Sequence, residues 1–69
     1  MSSFYKREND PQPGDIGTDP NYGNVSLIGP ISLFGSAIED YGYWLAEDED
    51  NRYVIVSIDC LKNIGYYGD

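Results

Sequence analysis

Half of the twelve acidic residues of this 69-residue chain lie between positions 39 and 50. They are Glu39, Asp40, Glu47, Asp48, Glu49 and Asp50, with no basic residue among them. Carboxylates grouped this way suit one chemistry above others, the docking of Lys and Arg side chains on a partner. An extended backbone rises ~3.3 Å per residue, so four consecutive acids carry charge at about the density of one DNA strand. Alternating side-chain directions make that imitation crude, but a basic groove that normally holds nucleic acid is a target it would fit. The same run tempts a calcium reading, with Asp48, Asp50 and Asp59 at positions 1, 3 and 12 of an EF-hand loop. That reading fails on its own terms. Arg52 stands where an oxygen ligand belongs and Tyr53 where the loop needs glycine.

Other reactive groupings are missing. There is no His and only one Cys, so the usual zinc ligand sets cannot be assembled within one chain and no metal or other cofactor is expected. Cys60 has no imidazole to activate it, and a packed or idle thiol is the default. The eight glycines are scattered as turn formers, outside the strand-to-helix setting of a phosphate-binding loop. A carboxylate pair for glycoside chemistry needs a cleft that so short a chain hardly provides. These absences point away from an enzyme.

Seven tyrosines, two phenylalanines and one tryptophan accompany the acids. Tyr and Trp anchor interfaces because they bury a large area yet keep a polar tip. Tyr43 and Tyr53 flank the acids and are expected to lie near one another across a hairpin, as anchors beside the charge. The same rings could equally be the large residues that fill a small core. Tyr66 and Tyr67 are adjacent in a strand-like segment, so they face opposite sides and at least one should be exposed.

The formal charge of −8 opposes direct binding to nucleic acid, since counterion release requires Lys and Arg. It likewise opposes anionic membrane surfaces. No apolar run approaches the length of a membrane span. The start, Met1 to Arg7, turns polar where a secretion leader would become apolar, and a lone Cys suits a reducing compartment. The expected location is the cytoplasm, that of the host if the protein is viral. Asn24-Val25-Ser26 is then a chance match to a glycosylation acceptor. A chain this short buries only about 60% of its unfolded surface, so a second copy or another protein would help it, and homodimerisation stays open.

The elements that must position these residues are short strands. Residues 1–13 read as an extended arm, with Pro11 and Pro13 biasing their neighbours away from helix and Phe4 and Tyr5 able to tuck against the body. Residues 14–69 form one small domain. Asp15 to Gly17 is a short strand, and Asp19 to Asn24 is turn-rich. Val25 to Phe34 is a strand interrupted at Gly29-Pro30 by an edge, a bulge or a bend. Ser36 to Glu39 has the form of a capping box and is at most one helical turn, or else a plain loop. Tyr43–Ala46 and Arg52–Ile58 make a hairpin with Glu47–Asn51 as its acidic loop. Val54, Val56 and Ile58 share one face of it, and Tyr53, Ile55 and Ser57 the other. A tight turn around 59–63 leads to a last strand, Ile64–Tyr67.

Strands this short and closely punctuated suggest an all-β barrel of about five strands, closed to remove exposed edges. Pro13-Gly14-Asp15-Ile16, the hairpin from Tyr43 to Ile58, and the strand–turn–strand from Val56 to Gly65 together resemble the SH3-like small-barrel superfamily. The resemblance runs loosely over residues 13–67. It implies a 3-10 turn before the final strand and says little about function, because small barrels serve many tasks. The Gly29-Pro30 break and the long acidic tip depart from it.

The resulting expectation is a non-enzymatic acidic protein that inhibits or modulates a protein with a basic surface, such as a nucleic-acid-handling enzyme. Phage-encoded inhibitors of host or defence enzymes are the nearest analogy. The expected contact residues are Glu39, Asp40, Tyr43, Glu47, Asp48, Glu49, Asp50 and Tyr53. The alternative is a small structural or accessory subunit that joins a larger assembly through its barrel face or its N-terminal arm.

Overall fold

A computed structural model describes residues 2–31 and 42–68. Six strands make one antiparallel sheet with a small β-barrel-like fold: β1 (Ser3–Lys6), β2 (Ile16–Asp19), β3 (Gly23–Pro30), β4 (Tyr43–Asp48), β5 (Tyr53–Ser57) and β6 (Lys62–Gly68). The spatial order is β1-β6-β2-β3-β4-β5. A single 3-10 turn, Ile58–Cys60, precedes β6. It is the only helical element among the described residues, and no helix is long and apolar enough to cross a membrane. Glu39, Asp40 and the Ser36–Glu39 capping box lie outside the described residues, as does the Leu33–Phe34 end of the expected second strand.

The inward face follows the alternation of apolar side chains. Val25 and Leu27 on β3, Trp44 and Ala46 on β4, and Val56 on β5 are buried with Leu61, and Val54, Ile58 and Ile64 pack against them. The expected shared face of Val54, Val56 and Ile58 is the core face. Among the described residues, six buried apolar side chains make up this core. At about 2 kcal/mol for a fully buried side chain such as Leu27, the core leaves turns and ion pairs a large share in specifying the fold.

Two bulges bend the sheet. Between Leu27↔Ala46 and Gly29↔Leu45 the register of β3 against β4 slips by one residue, so Ile28 is the extra residue. Here the interruption at Gly29-Pro30 is a bulge. The proline is tolerated because β2 pairs with β3 only as far as Ser26, leaving a ladder on the β4 side alone. The second bulge is on β6, where two steps of β2 (Ile16 to Thr18) oppose three steps of β6 (Gly65 to Lys62). Asn63 takes up the slack with φ +56, a left-handed conformation that Asn adopts more readily than most residues.

The N-terminal arm is extended, and it is part of the sheet. β1 pairs with β6 through Phe4↔Tyr67 and Tyr5↔Tyr66, giving six strands where the body alone supplies five. The pairing explains the burial of Gly65. A Cβ there would run into the Tyr5 carbonyl oxygen and stand 2.5 Å from Phe4 Cζ. Only glycine lets the arm lie this close. Past β1, the Arg7 amide donates to the Ile64 carbonyl at 2.8 Å. Its guanidinium clamps Asp15 with two 2.9 Å hydrogen bonds, and it also lies over the Tyr66 ring, 4.5 Å from the centroid.

Candidate functional site

The acidic run is divided by the pleat. Glu47 and Asp48 do not lie in a loop as expected; they are the last two residues of β4. Trp44, Ala46 and Asp48 occupy alternate positions, and all three face inward. The Asp48 side chain is 2% exposed. Its Oδ1 accepts from the amides of Asp50 and Arg52, each at 2.9 Å, and its Oδ2 accepts from Arg52 Nε at 3.2 Å. The turn closes with the Asn51 amide donating to the Asp48 carbonyl and Asn51 at φ +64. These donors, the Arg52 amide foremost, hold the Asp48 carboxyl below its ordinary pKa. Asp48 therefore folds the hairpin and is not available to a partner. In the EF-hand alignment it would have been the first ligand, and its oxygens already serve backbone amides.

The neighbouring acids remain at the surface. Glu47 is half-buried on the outer face, in register with Tyr53 and Ser26. Glu49 is exposed and accepts from Asn24 Nδ2 at 2.9 Å. The Asp50 side chain is 77% exposed and meets Arg52 at 3.2 Å. The evenly spaced ladder of four charges thus becomes two carboxylates beside a bridged third. Both arginines of the chain are engaged by buried aspartates, which leaves Lys6 and Lys62 as the other basic residues.

The two expected tyrosine anchors are not adjacent. Tyr43 pairs with Ser57 and Tyr53 with Glu47, so they stand at opposite ends of the hairpin, four residues apart along β4. Antiparallel pairing dictates this: residues near the start of one strand meet residues near the end of the next. Tyr53 is 70% exposed and sits at the acidic end; Tyr43 is half-buried and does not. Ile55, two residues from Tyr53 on the same face, is also exposed. Tyr66 and Tyr67 are both exposed, Tyr66 stacked on Tyr5 and Tyr67 edge-on to Phe4.

Sequence reasoning overlooked the rest of the outer face. A groove of about 680 Å³ crosses it, lined by Thr18, Asn24 and Ser26 on β2 and β3, by Glu47 and Glu49 at one end, and by Phe4 and Tyr67 among others at the opposite end. A signal existed in strand parity: Asn24 and Ser26 alternate with Val25 and Leu27, so they must face away from the core. Which strands lie beside one another was not legible locally. Among the described residues no group of three or more His, Cys, Asp or Glu could hold a metal ion. Cys60 is a free, exposed thiol. No protein-family model matches the chain, and no curated protein or solved structure matches it. What this surface does must follow from its own residues.

Proposed function

We propose that this chain is a non-enzymatic binding protein that docks its acidic, aromatic-bearing outer face on a basic protein surface, such as that of a nucleic-acid-handling enzyme, and so modulates or inhibits it. One observation carries the reading: Tyr53, the most exposed large hydrophobic among the described residues, stands opposite Glu47 beside Glu49 and Asp50, while both arginines are held by buried aspartates. An exposed ring supplies contact area at small entropic cost and the carboxylates supply steering. Recognition is of individual basic side chains, since Asp48 interrupts the charge ladder. Glu39 and Asp40 remain proposed contacts of the same partner on their charge alone. The 3-10 turn between β5 and β6 supports kinship with SH3-like small barrels, which we propose for the body.

The test is capture of partners on immobilised wild-type protein and on the triple variant Glu47→Gln, Glu49→Gln, Asp50→Asn. The expected partner is basic, is released by raised salt and by added duplex DNA, and binds the variant at least about tenfold more weakly. Affinity unchanged in the variant rejects the proposal. Retention in high salt favours the accessory-subunit reading, for which exposed Tyr53, Ile55 and Tyr67 would be the contact.

A further inference from the structure

The groove on the outer face has two chemically distinct ends and a mixed floor, in which Thr18, Asn24 and Ser26 lie beside Ile16. At one end stand Glu47 and Glu49. Glu49 is oriented by a relay across the sheet: Thr18 Oγ1 donates to Asn24 Oδ1 at 3.0 Å, and Asn24 Nδ2 donates to Glu49 Oε1 at 2.9 Å. At the other end, the Phe4 and Tyr67 rings meet edge to face with centroids 5.4 Å apart. Phe4 is seated on Gly65, which has no side chain to displace it. Among the described residues no basic side chain lines the groove.

The dimensions limit the occupant. The acidic end is Glu47 on β4 with Glu49 just past the strand, and Tyr67 is on β6, with β3 and β2 between them. Three strand spacings of ~4.8 Å, with a two-residue offset along the strands between the level of Glu47 and Tyr67, separate the two ends by about 16 Å. An extended segment rises ~3.3 Å per residue, so four residues cover about 13 Å, the reach of a long basic side chain covers the remaining ~3 Å, and residues i and i+4 point the same way. An organic cation alone would fill only the acidic end. An acidic segment, or a second copy of this chain with its net charge of −8, would be repelled there.

We infer that the groove binds an extended segment of a partner protein that carries a basic residue and, four positions along, an aromatic residue. The basic side chain meets Glu47 and Glu49, and the aromatic side chain packs on Phe4 and Tyr67. Thr18, Asn24 and Ser26 offer hydrogen bonds to the intervening backbone. This rests on the reading of the protein as a binder of basic surfaces and specifies the segment it takes.

The probe is a capped pentapeptide, Arg-Gly-Ser-Gly-Trp, titrated into the 15N-labelled full chain at low salt and followed by NMR. Expected are shifts of the Gly17, Asn24, Asn63 and Tyr67 amides, and no such shifts with Glu-Gly-Ser-Gly-Trp. Glu49→Gln and Tyr67→Ala should each weaken the peptide at least about fivefold, the factor for ~1 kcal/mol. Ser26→Lys, at an exposed position on the floor, should abolish binding while the rest of the spectrum stays that of the folded chain. Shifts confined to Glu49–Arg52 and indifferent to Tyr67→Ala, or no shifts at all, would overturn the inference. Its failure is separable from that of the functional reading. If the Glu47, Glu49 and Asp50 variant loses a salt-sensitive partner that Tyr67→Ala and Ser26→Lys keep, the reading stands and the groove assignment falls. If the triple variant keeps its partner, the reading itself falls.

Discussion

Arg7 and Arg52 each reach a buried aspartate, but they hold different things together. Arg7 is 27% exposed and grips Asp15 through two 2.9 Å bonds across eight residues of sequence. Asp15 also accepts from the Gln12 amide, and its backbone joins Leu27. That pair ties β1, the 10–15 turn and β3 into one unit. Arg52 is 71% exposed and its bond to Asp48 is a single contact at 3.2 Å. Asp48 depends mainly on two backbone amides of its own turn. The first pair sets tertiary structure, and the second decorates a turn that its aspartate already caps. A planar guanidinium gains most when both its nitrogens engage a carboxylate shielded from water. An exposed one adds little.

The largest effect should come from Gly65→Ala at the arm. The added methyl meets backbone on one side and the Phe4 ring on the other, so β1 must lift, at a cost of about 3 kcal/mol. Urea unfolding should show a much lower midpoint, and protease should cut within residues 1–13. A wild-type midpoint would mean that the arm is not docked as described. Asp15→Asn should come next, with a loss of about 2 kcal/mol, because it removes a charged pair of bonds yet keeps an acceptor for Gln12.

Acid sharpens the comparison in a third way. Asp15 is held below its ordinary pKa first by the Arg7 hydrogen bond, and Asp48 first by the Arg52 amide. A carboxyl whose folded pKa lies below its unfolded value of about 3.9 adds stability that is complete well above that pH and is lost as pH falls through the folded pKa. Stability should therefore fall below about pH 5, and Asp15→Asn should flatten part of that fall. An equal acid slope in wild type and variant would show that Asp15 carries none of it. Arg52→Gln should have the smallest effect, a melting temperature lower by about 2 °C. A drop as large as that of Asp15→Asn would erase the distinction between the two pairs.

Some of this was legible in the residues and some was not. The turn aspartates carried a readable sign: Asp19-Pro20-Asn21 and Asp48 through Asn51 are both sequences in which an Asp side chain can accept amides two or three residues on. Asp19 does so from Asn21 and Tyr22. Ending β4 at Ala46 concealed the second case. Two more residues of strand place Asp48 on the inward face with Trp44 and Ala46. The pairing of Arg7 with Asp15 left no local trace, since it depends on β1 reaching β6 beside β2. Tyr43 and Tyr53 were misplaced for a related reason: identity and spacing say which residues are aromatic, but strand register says which are neighbours.

By itself the sequence determined the all-β class, the period-two core face of Val54 and Val56, the excess of carboxylates, and the lack of residues for the usual zinc sites. These depend on residue type and on spacing within a few positions, where backbone geometry alone imposes the pattern. Only the tertiary structure decided which acids face a partner and which serve the fold. It also decided that the arm is a strand, and that residues from five strands border one groove. Burial, pairing and cavities arise from segments distant in the chain, brought together by the core and by the turns and ion pairs around it.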